Sequence, residues 1–319
     1  MTKYRHQLPQ LRGDLFLTDG GLETTLIFHE GLSLPHFAAF DLLKDEAGTR
    51  VLRRYFHRYA ELAITRGAGL VLESPTWRAN PDWAARLGYD AARLAEANRK
   101  GILLLEEVRA EFERSKTPIV ISGNLGPRGD GYRADSRMTA AQAQAYHAPQ
   151  VEVFAASRAD MVAAFTMNCV EEAIGIARAA RAAAVPVTIS FTVETDGRLP
   201  SGETLADAIT RTDAETAAYP AYYMINCAHP SHFAGELRAG GAWRNRIRGL
   251  RANASKRSHA ELDASPDLDI GSPVELAQEY RALRELLPGL TVLGGCCGTD
   301  HRHVEAICAA CHGEDKREP

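Results

Sequence analysis

Short apolar runs that end in Gly, Asn, Thr or Cys alternate along this chain with longer Ala-rich patterns of helical period, such as 91–112 and 171–183. There are eight such runs: LFLTDGG (15–21), GLVLESPT (69–76), PIVISGN (118–124), ADMVAAFT (159–166), VPVTISFT (185–192), AYYMINC (221–227), IRGLRAN (247–253) and TVLGGCC (291–297). Eight buried strands alternating with amphipathic helices predict an α/β protein, a (β/α)8 TIM barrel formed by a single domain over residues 1–319. A doubly wound open sheet has the same alternation and stays open as an alternative.

Polar or reactive side chains cluster at the ends of these runs. In a (β/α)8 barrel the catalytic groups lie where strands end and loops begin, at the carboxyl ends of the strands. The residues at these positions are Asp19, Glu73, Asn124, Thr166, Thr192, Asn226, Cys227, Asn253, Cys296 and Cys297. If the barrel closes, all of them face one opening, and we expect the functional site there.

Charge and apolar content exclude several classes of protein. The 319 residues include 37 Lys and Arg against 41 Asp and Glu, a formal net charge of -4, which argues against a broad nucleic-acid-binding surface. No stretch approaches the roughly 18 uncharged apolar residues of a membrane span, and the first residues contain no apolar segment of an export signal. We therefore expect a cytoplasmic protein without nucleic-acid or membrane partners, whose six cysteines are reduced and free for metal binding or catalysis.

Two adjacent cysteines, Cys296 and Cys297, stand in a frame of glycines at the end of the eighth run. Neighbouring strand residues point to opposite faces, so both side chains reach one site only if the backbone leaves β geometry, which glycine permits. The pair is a strained disulfide, two buried thiols or two ligands of one metal. Cys227 ends the sixth run, one strand away, so three thiolates can converge. Soft thiolates favour Zn²⁺, and three ligands leave a fourth position open for chemistry.

The remaining cysteines are expected to be structural. CAACH (308–312) matches the haem-attachment pattern, but it continues a helical pattern that Asp300 can cap, in which Cys308 and Cys311 fall on an apolar face. His301 and His303, at the start of this helix, are expected to face solvent rather than bind metal. Cys169 precedes another helical pattern, and we expect it to be structural as well.

The chain resembles the homocysteine S-methyltransferase family of zinc-dependent barrel enzymes. The matching segments are TDGGLETTL (18–26), SGNLGP (122–127), EEAIGIARA (171–179), INC (225–227), RANAS (251–255) and GGCCGT (294–299). The resemblance implies that Cys227, Cys296 and Cys297 are catalytic zinc ligands. It also implies that Asp19, with the backbone of Gly20 and Gly21, holds the amino acid end of homocysteine.

One position departs from the family pattern. Where the family commonly has a carboxylate at the end of the fourth strand, a second partner for the substrate ammonium, this chain has Phe165. Glu73 or Glu194 can replace the missing charge, unless they only pair with nearby arginines such as Arg78 and Arg198. Glu73 and Asn226, which precedes Cys227, therefore join the predicted substrate-binding residues. Trp77, in a loop that also departs from the family, can shape a pocket for a different thiol.

The predicted function is zinc-dependent methyl transfer from a small sulfonium or betaine-type donor to the thiol of homocysteine or a related thiol, giving methionine or an analogue. Its partners are thus small molecules, and the oligomeric state is not predicted. The alternative is a thiol-based redox or metal-sensing protein that uses the Cys296/Cys297 pair. A barrel enzyme of other chemistry, such as an aldolase, would usually need a lysine or a phosphate-binding loop at the opening, and Lys256 is the only lysine near a strand end.

Overall fold

Eight parallel strands close into a barrel in a computed structural model that describes residues 2–135 and 137–312. The strands are β1 (Phe16–Leu17), β2 (Gly69–Glu73), β3 (Ile119–Leu125), β4 (Met161–Met167), β5 (Val187–Phe191), β6 (Tyr222–Asn226), β7 (Ile247–Ala252) and β8 (Val292–Gly295). Each strand pairs with the next in the chain, and β8 pairs back onto β1, with Phe16 opposite Val292. The predicted (β/α)8 barrel is confirmed, and this closing pair excludes the open sheet.

Helices connect the strands on the outside of the barrel. They are α1 (Leu22–Thr24), α2 (Glu46–Arg66), α3 (Pro81–Arg86), α4 (Ala91–Phe112), α5 (Ala140–Ala155), α6 (Val170–Ala182), α7 (Leu205–Thr216), α8 (Pro230–Ala239), α9 (His259–Asp263), α10 (Pro273–Leu286) and α11 (His301–Cys311), with shorter helical turns at Pro9–Leu11, Thr25–His29, Pro35–Phe37, Ala39–Lys44 and Ala242–Arg246. Local chemistry sets their starts: Asp90 caps α4 by accepting from the backbone N–H of Arg93. The predicted helical patterns 91–112 and 171–183 correspond to α4 and α6.

The strands divide the apolar residues into two layers. Alternate residues such as Leu70 and Leu72 of β2 pack outward against the helices, whereas Val71 belongs to a separate cluster inside the barrel. Strand alternation then directs Glu73 inward as well. On β7, Leu250 packs outward, so Arg251 points into the barrel. The interior is therefore apolar at its centre and becomes charged near the carboxyl ends of the strands.

Three details differ from the sequence predictions or limit them. Asn124 and Thr166 are each the last residue but one of β3 and β4, so these two strands extend one residue beyond the predicted runs. The helix after Asp300 is confirmed with Cys308 and Cys311 buried, but His303 is buried too, because Nδ1 accepts from the Asp300 backbone N–H and Nε2 donates to the Ile270 carbonyl. The single-domain boundary of 1–319 stays a prediction, since residues 1 and 313–319 lie outside the described residues.

Among the helices of the described residues, none combines the length and the apolar content that a membrane crossing requires.

Candidate metal and substrate site

The three predicted cysteines converge at the carboxyl end of the barrel. β6 ends at Asn226 and β8 at Gly295, so Cys227, Cys296 and Cys297 are the first residues after their strands. Their Sγ atoms all lie within 4.8 Å of one another. Cys227 follows β6 and Cys296 follows β8, and these two strands are separated only by β7. The loops after β6 and β8 are therefore close enough for the two side chains to meet.

Within this group the sulfurs are not equivalent. The Sγ atoms of Cys227 and Cys296 are in bonding contact, with Cα atoms 5.4 Å apart, whereas Cys297 is a free thiol. The adjacent pair Cys296/Cys297 is thus not the bonded one. The Tyr132 hydroxyl lies 3.7 Å from the Cys297 sulfur. Burial raises the pKa of the Cys297 thiol to about 11, so without a cation it is protonated at neutral pH.

Unusual backbone conformations aim the side chains around Cys227. Cys227 and Thr166 both have positive φ angles, 54° and 61°, which non-glycine residues seldom adopt. Asn226 holds the two together: its Oδ1 accepts from the Thr166 N–H at 2.8 Å and from the Ser190 hydroxyl at 2.6 Å, and its Nδ2 donates to Thr166 Oγ1 at 2.8 Å. Asn226, expected to bind substrate, is instead occupied in joining β4, β5 and β6.

Glycines in β8 are required by close approach. A Cβ on Gly294 would overlap the Thr18 hydroxyl, and one on Gly295 would overlap the Thr299 hydroxyl. Thr299 Oγ1 in turn donates to the Cys296 carbonyl at 2.7 Å. The glycine frame therefore lets the β1 loop and the turn after β8 pack directly against the segment that carries the cysteines.

Asp19 and the two glycines after it, expected to hold the amino acid end of homocysteine, are bonded within the protein. Asp19 forms an ion pair with Arg251, with Oδ1 and Nη2 2.6 Å apart, and accepts from the Tyr55 hydroxyl at 3.0 Å. The Gly20 carbonyl accepts from Arg251 at 3.1 Å, and the Gly21 N–H donates to the Thr299 carbonyl at 3.0 Å. The Gly21 donor is thus used within the protein, and the Asp19 charge faces Arg251, although Asp19 Oδ1 makes no hydrogen bond among the described residues.

Glu73, Phe165 and Arg251 stand near the carboxyl ends of β2, β4 and β7, with their side chains inside the barrel. These three residues are here called the barrel floor. They are 4%, 4% and 7% exposed. The Arg251 guanidinium carbon lies 5.0 Å from the centre of the Phe165 ring. Burial raises the pKa of Glu73 to about 7, although the Arg251 charge opposes this shift. Phe165 thus faces a cation.

Several buried polar atoms near the floor have no hydrogen-bond partner among the residues that the structure describes. They are Asp19 Oδ1, which has only its ion pair with Arg251, and Glu73 Oε2, Arg251 Nη1, Ser122 Oγ, Asn124 Oδ1 and Asn253 Oδ1. Buried polar atoms are nearly always bonded, and a cluster of exceptions indicates a missing water or ligand. Apart from Ser122, in the middle of β3, these atoms belong to the last two residues of a strand or to the first two residues after one, which is where a barrel enzyme binds its substrate.

The rim contains residues to which the sequence predictions gave no role. His259 lies between Glu194, 2.9 Å from Nδ1, and the Cys227 carbonyl, 2.5 Å from Nε2, and its ring stacks on Tyr132 at 3.9 Å. Glu194 therefore pairs with His259 rather than with Arg198.

Glu23 is a further residue that the sequence predictions did not assign, and its charge acts on Cys297. Burial raises the pKa of Glu23 to about 7.

Arg78 does not pair with Glu73. Its guanidinium carbon lies 4.1 Å from the centre of the Trp77 ring and 3.9 Å from that of Trp83, and it donates to the Gly129 carbonyl. The Trp77 indole N–H donates to the Phe165 carbonyl at 3.3 Å, so this ring covers the edge of the floor.

The sequence contains features that could have identified some of the site residues that the predictions missed, but not others. Glu23 and Arg251 fall inside the TDGGLETTL and RANAS segments, and Arg251 is a charge in an otherwise apolar strand, in phase with the interior-facing Gly249. Tyr132 and His259 lie in loops, where no periodicity indicates direction. Only the closed barrel shows that they meet above the cysteines.

The sequence model of the homocysteine S-methyltransferase family matches residues 16–311. Homocysteine S-methyltransferase YbgG of Bacillus subtilis (strain 168) is 25% identical over 250 residues, which span 70% of this chain and 74% of YbgG. Crystal structures of the homocysteine methyltransferase MmuM from Escherichia coli, in metallated and oxidized forms, share the fold with a TM-score of 0.75 at 21% identity, over 96% of this chain and 99% of MmuM.

Proposed function

The chain belongs to the homocysteine S-methyltransferase family and is a methyltransferase, and on that premise we propose that it is zinc-dependent. The proposed reaction moves a methyl group from a small sulfonium or betaine-type donor to the thiol of homocysteine or a related thiol, giving methionine or an analogue. The observation that carries the proposal is the convergence of three cysteine sulfurs within 4.8 Å at the carboxyl end of the barrel.

Cys227, Cys296 and Cys297 would hold the zinc ion as thiolates. Sulfurs bound to one zinc at about 2.3 Å are roughly 3.8 Å apart in tetrahedral geometry, so Cys297 already lies close enough, whereas Cys227 and Cys296 would bind the ion only in their reduced form, with their sulfurs moved apart. Three protein ligands with one position left for substrate is the usual donor set of a catalytic zinc site. MmuM, which shares the fold, has a metallated form. When bound, zinc lowers the pKa of a coordinated substrate thiol, so that a nucleophilic thiolate is present at neutral pH.

The chain's own charges favour a cationic donor. Three cysteinates exceed the charge of a divalent cation by one, and Glu23, whose pKa is about 7, adds part of a negative charge near Cys297 at neutral pH. A sulfonium or quaternary ammonium group is attracted to such a site. As the methyl carbon bonds to the acceptor sulfur, its bond to the donor sulfur or nitrogen breaks and the electron pair stays on the donor. The positive charge of the donor and the negative charge of the thiolate are neutralised together.

Among the residues predicted to bind the acceptor, Glu73 fits best. Its Oε2 has no hydrogen-bond partner in the described part of the chain, and an ammonium group would supply one. We assign Asp19, Gly20, Gly21 and Asn226 to shaping the site, because the Asp19 carboxylate pairs with Arg251, the Gly20 carbonyl and the Gly21 N–H bond within the protein, and the Asn226 amide joins neighbouring strands.

The redox alternative is not favoured. It relied on Cys296 and Cys297 as a switchable pair, but Cys297 is free and Cys296 contacts Cys227 instead. The family match concerns methyl transfer.

Zinc-loaded protein should methylate homocysteine with S-methylmethionine, S-adenosylmethionine or betaine, and metal analysis should find about one zinc per chain. Cys296→Ala should lose zinc and activity, because it removes one of three ligands. Cys308→Ala is the matched control, since this cysteine is buried in α11 and should leave both unchanged. Zinc retained by Cys296→Ala and lost by Cys308→Ala would show that the metal site is elsewhere. Absence of methylation of any thiol by any of these donors would contradict the proposed reaction.

A further inference from the structure

The charges of the barrel floor identify how the acceptor is held. Resting on the proposed thiol methylation, we propose that Arg251 determines acceptor specificity: its free Nη1 binds the carboxylate of an amino acid thiol, and Glu73 binds the ammonium. Asp19 then acts as a positioning residue that holds the guanidinium and does not itself touch the acceptor.

Arg251 is held rigidly with one donor group left over. Nε donates to the Gly295 carbonyl at 3.0 Å, and Nη2 donates to the Gly20 carbonyl and pairs with Asp19. Nη1 is buried and has no partner among the described residues. An unpaired buried donor on a cation is costly, and a carboxylate is the group that a guanidinium binds best.

Phe165 favours the same use of the guanidinium. Its ring lies against the cation, with 5.0 Å from ring centre to guanidinium carbon. A carboxylate at this position of β4 would pair with Arg251 and occupy Nη1. The phenyl ring cannot accept a hydrogen bond in this way, so Nη1 stays free for a ligand.

Glu73 supplies the opposite charge without neutralising Arg251. The two groups attract one another, yet the described part of the chain contains no ion pair or hydrogen bond between them. A buried acid and a buried base held apart, each with an unpartnered atom, match the two charged ends of an amino acid. Bridging both groups would satisfy Oε2 and Nη1 at once.

The spacing agrees with a thiol of homocysteine length. Arg251 stands opposite Gly294 in register, two residues before Cys296, which is about 7 Å along the strand. Four bonds separate the sulfur of homocysteine from its carboxyl carbon, about 5 Å when extended. With the reach of the Arg251 side chain added, the head group can lie on the floor while the sulfur lies among the cysteines.

Three thiols of equal chain length separate the two contacts: homocysteine, 4-sulfanylbutanoate without the amine, and 3-aminopropane-1-thiol without the carboxylate. Binding of each thiol is measured by calorimetry on the zinc-loaded protein. The KM for each thiol is measured with S-methylmethionine as the methyl donor. Arg251→Lys keeps a positive charge that can pair with Asp19, but it loses the planar guanidinium whose several N–H groups can bind Asp19 and a carboxylate at the same time. It should weaken homocysteine and 4-sulfanylbutanoate roughly 10- to 100-fold and leave 3-aminopropane-1-thiol nearly unchanged. Glu73→Gln should show the reverse pattern with the two analogues.

A double variant, Asp19→Asn with Arg251→Met, removes both charges and should lose the same preference for a carboxylate, which guards against misfolding of a single variant. Arg246→Lys is the matched control, because Arg246 precedes β7 and pairs with Asp213; it should change none of the three affinities. Equal weakening of all three thiols by Arg251→Lys, or none, overturns the proposal, as does failure of the wild type to bind any of them. Carboxylate-dependent binding without methylation would leave this proposal standing and contradict the proposed reaction. Methylation at the same rate for thiols with and without a carboxylate would support the proposed reaction and contradict the role of Arg251.

Discussion

Burying charged side chains at the carboxyl end of the barrel costs free energy unless each charge finds a partner. Arg251 has Asp19 and two backbone carbonyls, so its cation is stabilised and its pKa is raised further. Glu73 forms no ion pair among the described residues, and burial raises its pKa, although Ser122 and the Arg251 charge oppose the shift. Two residues on one floor therefore differ in what they contribute: Arg251 is in place before a ligand binds, whereas Glu73 depends on the ligand for its charge.

The raised pKa of Glu73 makes the stability of the unliganded protein depend on pH. Its pKa is about 7 when folded and 4.5 when unfolded, so the folded protein holds an extra proton between these values. The free energy of unfolding should therefore fall as pH rises from about 4.5 to about 7, by up to about 3 kcal/mol from this group. Glu73→Gln removes the contribution, so the variant should gain stability relative to wild type between about pH 5 and pH 7.5 in urea denaturation.

Glu96→Gln provides the control for that series. Glu96 pairs with Arg99 on the exposed face of α4, and its replacement should leave the pH dependence of wild type intact. A Glu73→Gln protein with the same pH dependence as wild type would mean that Glu73 is ionised in the folded state throughout this range.

At the scale of the elements, the strand ends are arranged by contacts between neighbouring segments. Thr166 and Cys227 adopt left-handed conformations that Asn226 stabilises across three strands. β8 contributes the complementary feature, since Gly294 and Gly295 leave room for the β1 loop and the turn at Thr299. The cysteines thus converge because the backbone turns sharply at Cys227, after β6, and because the last two residues of β8 have no side chains.

Gly294→Ala should destabilise the protein by about 1–3 kcal/mol, because the new Cβ overlaps the Thr18 hydroxyl and approaches the Asp19 carbonyl. Gly235→Ala is the matched control: it lies in α8 with open space around it, and it should gain about 0.5–1 kcal/mol from helix propensity. Urea denaturation of the two variants measures both effects. A Gly294→Ala protein as stable as Gly235→Ala would contradict the close packing of β8 on the β1 loop.

At the scale of the whole molecule, the two ends of the barrel have separate tasks. Asp160, just before β4, closes the end opposite the cysteines: it accepts from the backbone N–H groups of Lys3 and Tyr4 and from Arg109 at 2.6 Å. Arg5 adds donors to the Ala155 and Ala159 carbonyls. In barrel enzymes this end serves stability, whereas the carboxyl end carries the chemistry.

Asp160→Asn should therefore lower the free energy of unfolding by roughly 3–5 kcal/mol, because Arg109 is left as an uncompensated buried charge. KM for the acceptor should not change, since the site lies at the other end. Asp82→Asn, which breaks an exposed ion pair with Arg128, should cost about 1 kcal/mol or less. Thermal unfolding and acceptor kinetics test both, and a raised KM in Asp160→Asn would show that the two ends are coupled.

The alternation of apolar runs with helical patterns was enough to predict the eight-stranded barrel, because strand and helix periods are local properties that short segments carry by themselves. The same holds for α4 and α11, whose caps and apolar faces lie within a few turns. The three cysteines could be predicted to converge because they follow strands, and parallel strands end at one face.

Partners of long side chains were decided only by the tertiary structure. Strand alternation directs Arg251 inward, but its contact with Gly20 spans 231 positions and exists because β8 closes onto β1. Asp19 and Gly21 have the chemistry to hold an amino acid, and local sequence cannot reveal that Arg251 and Thr299 already occupy them. His303 is buried for the same reason, through the Ile270 carbonyl on a distant loop. Residue type sets what a group can bind, whereas closure of the barrel sets which partner reaches it first.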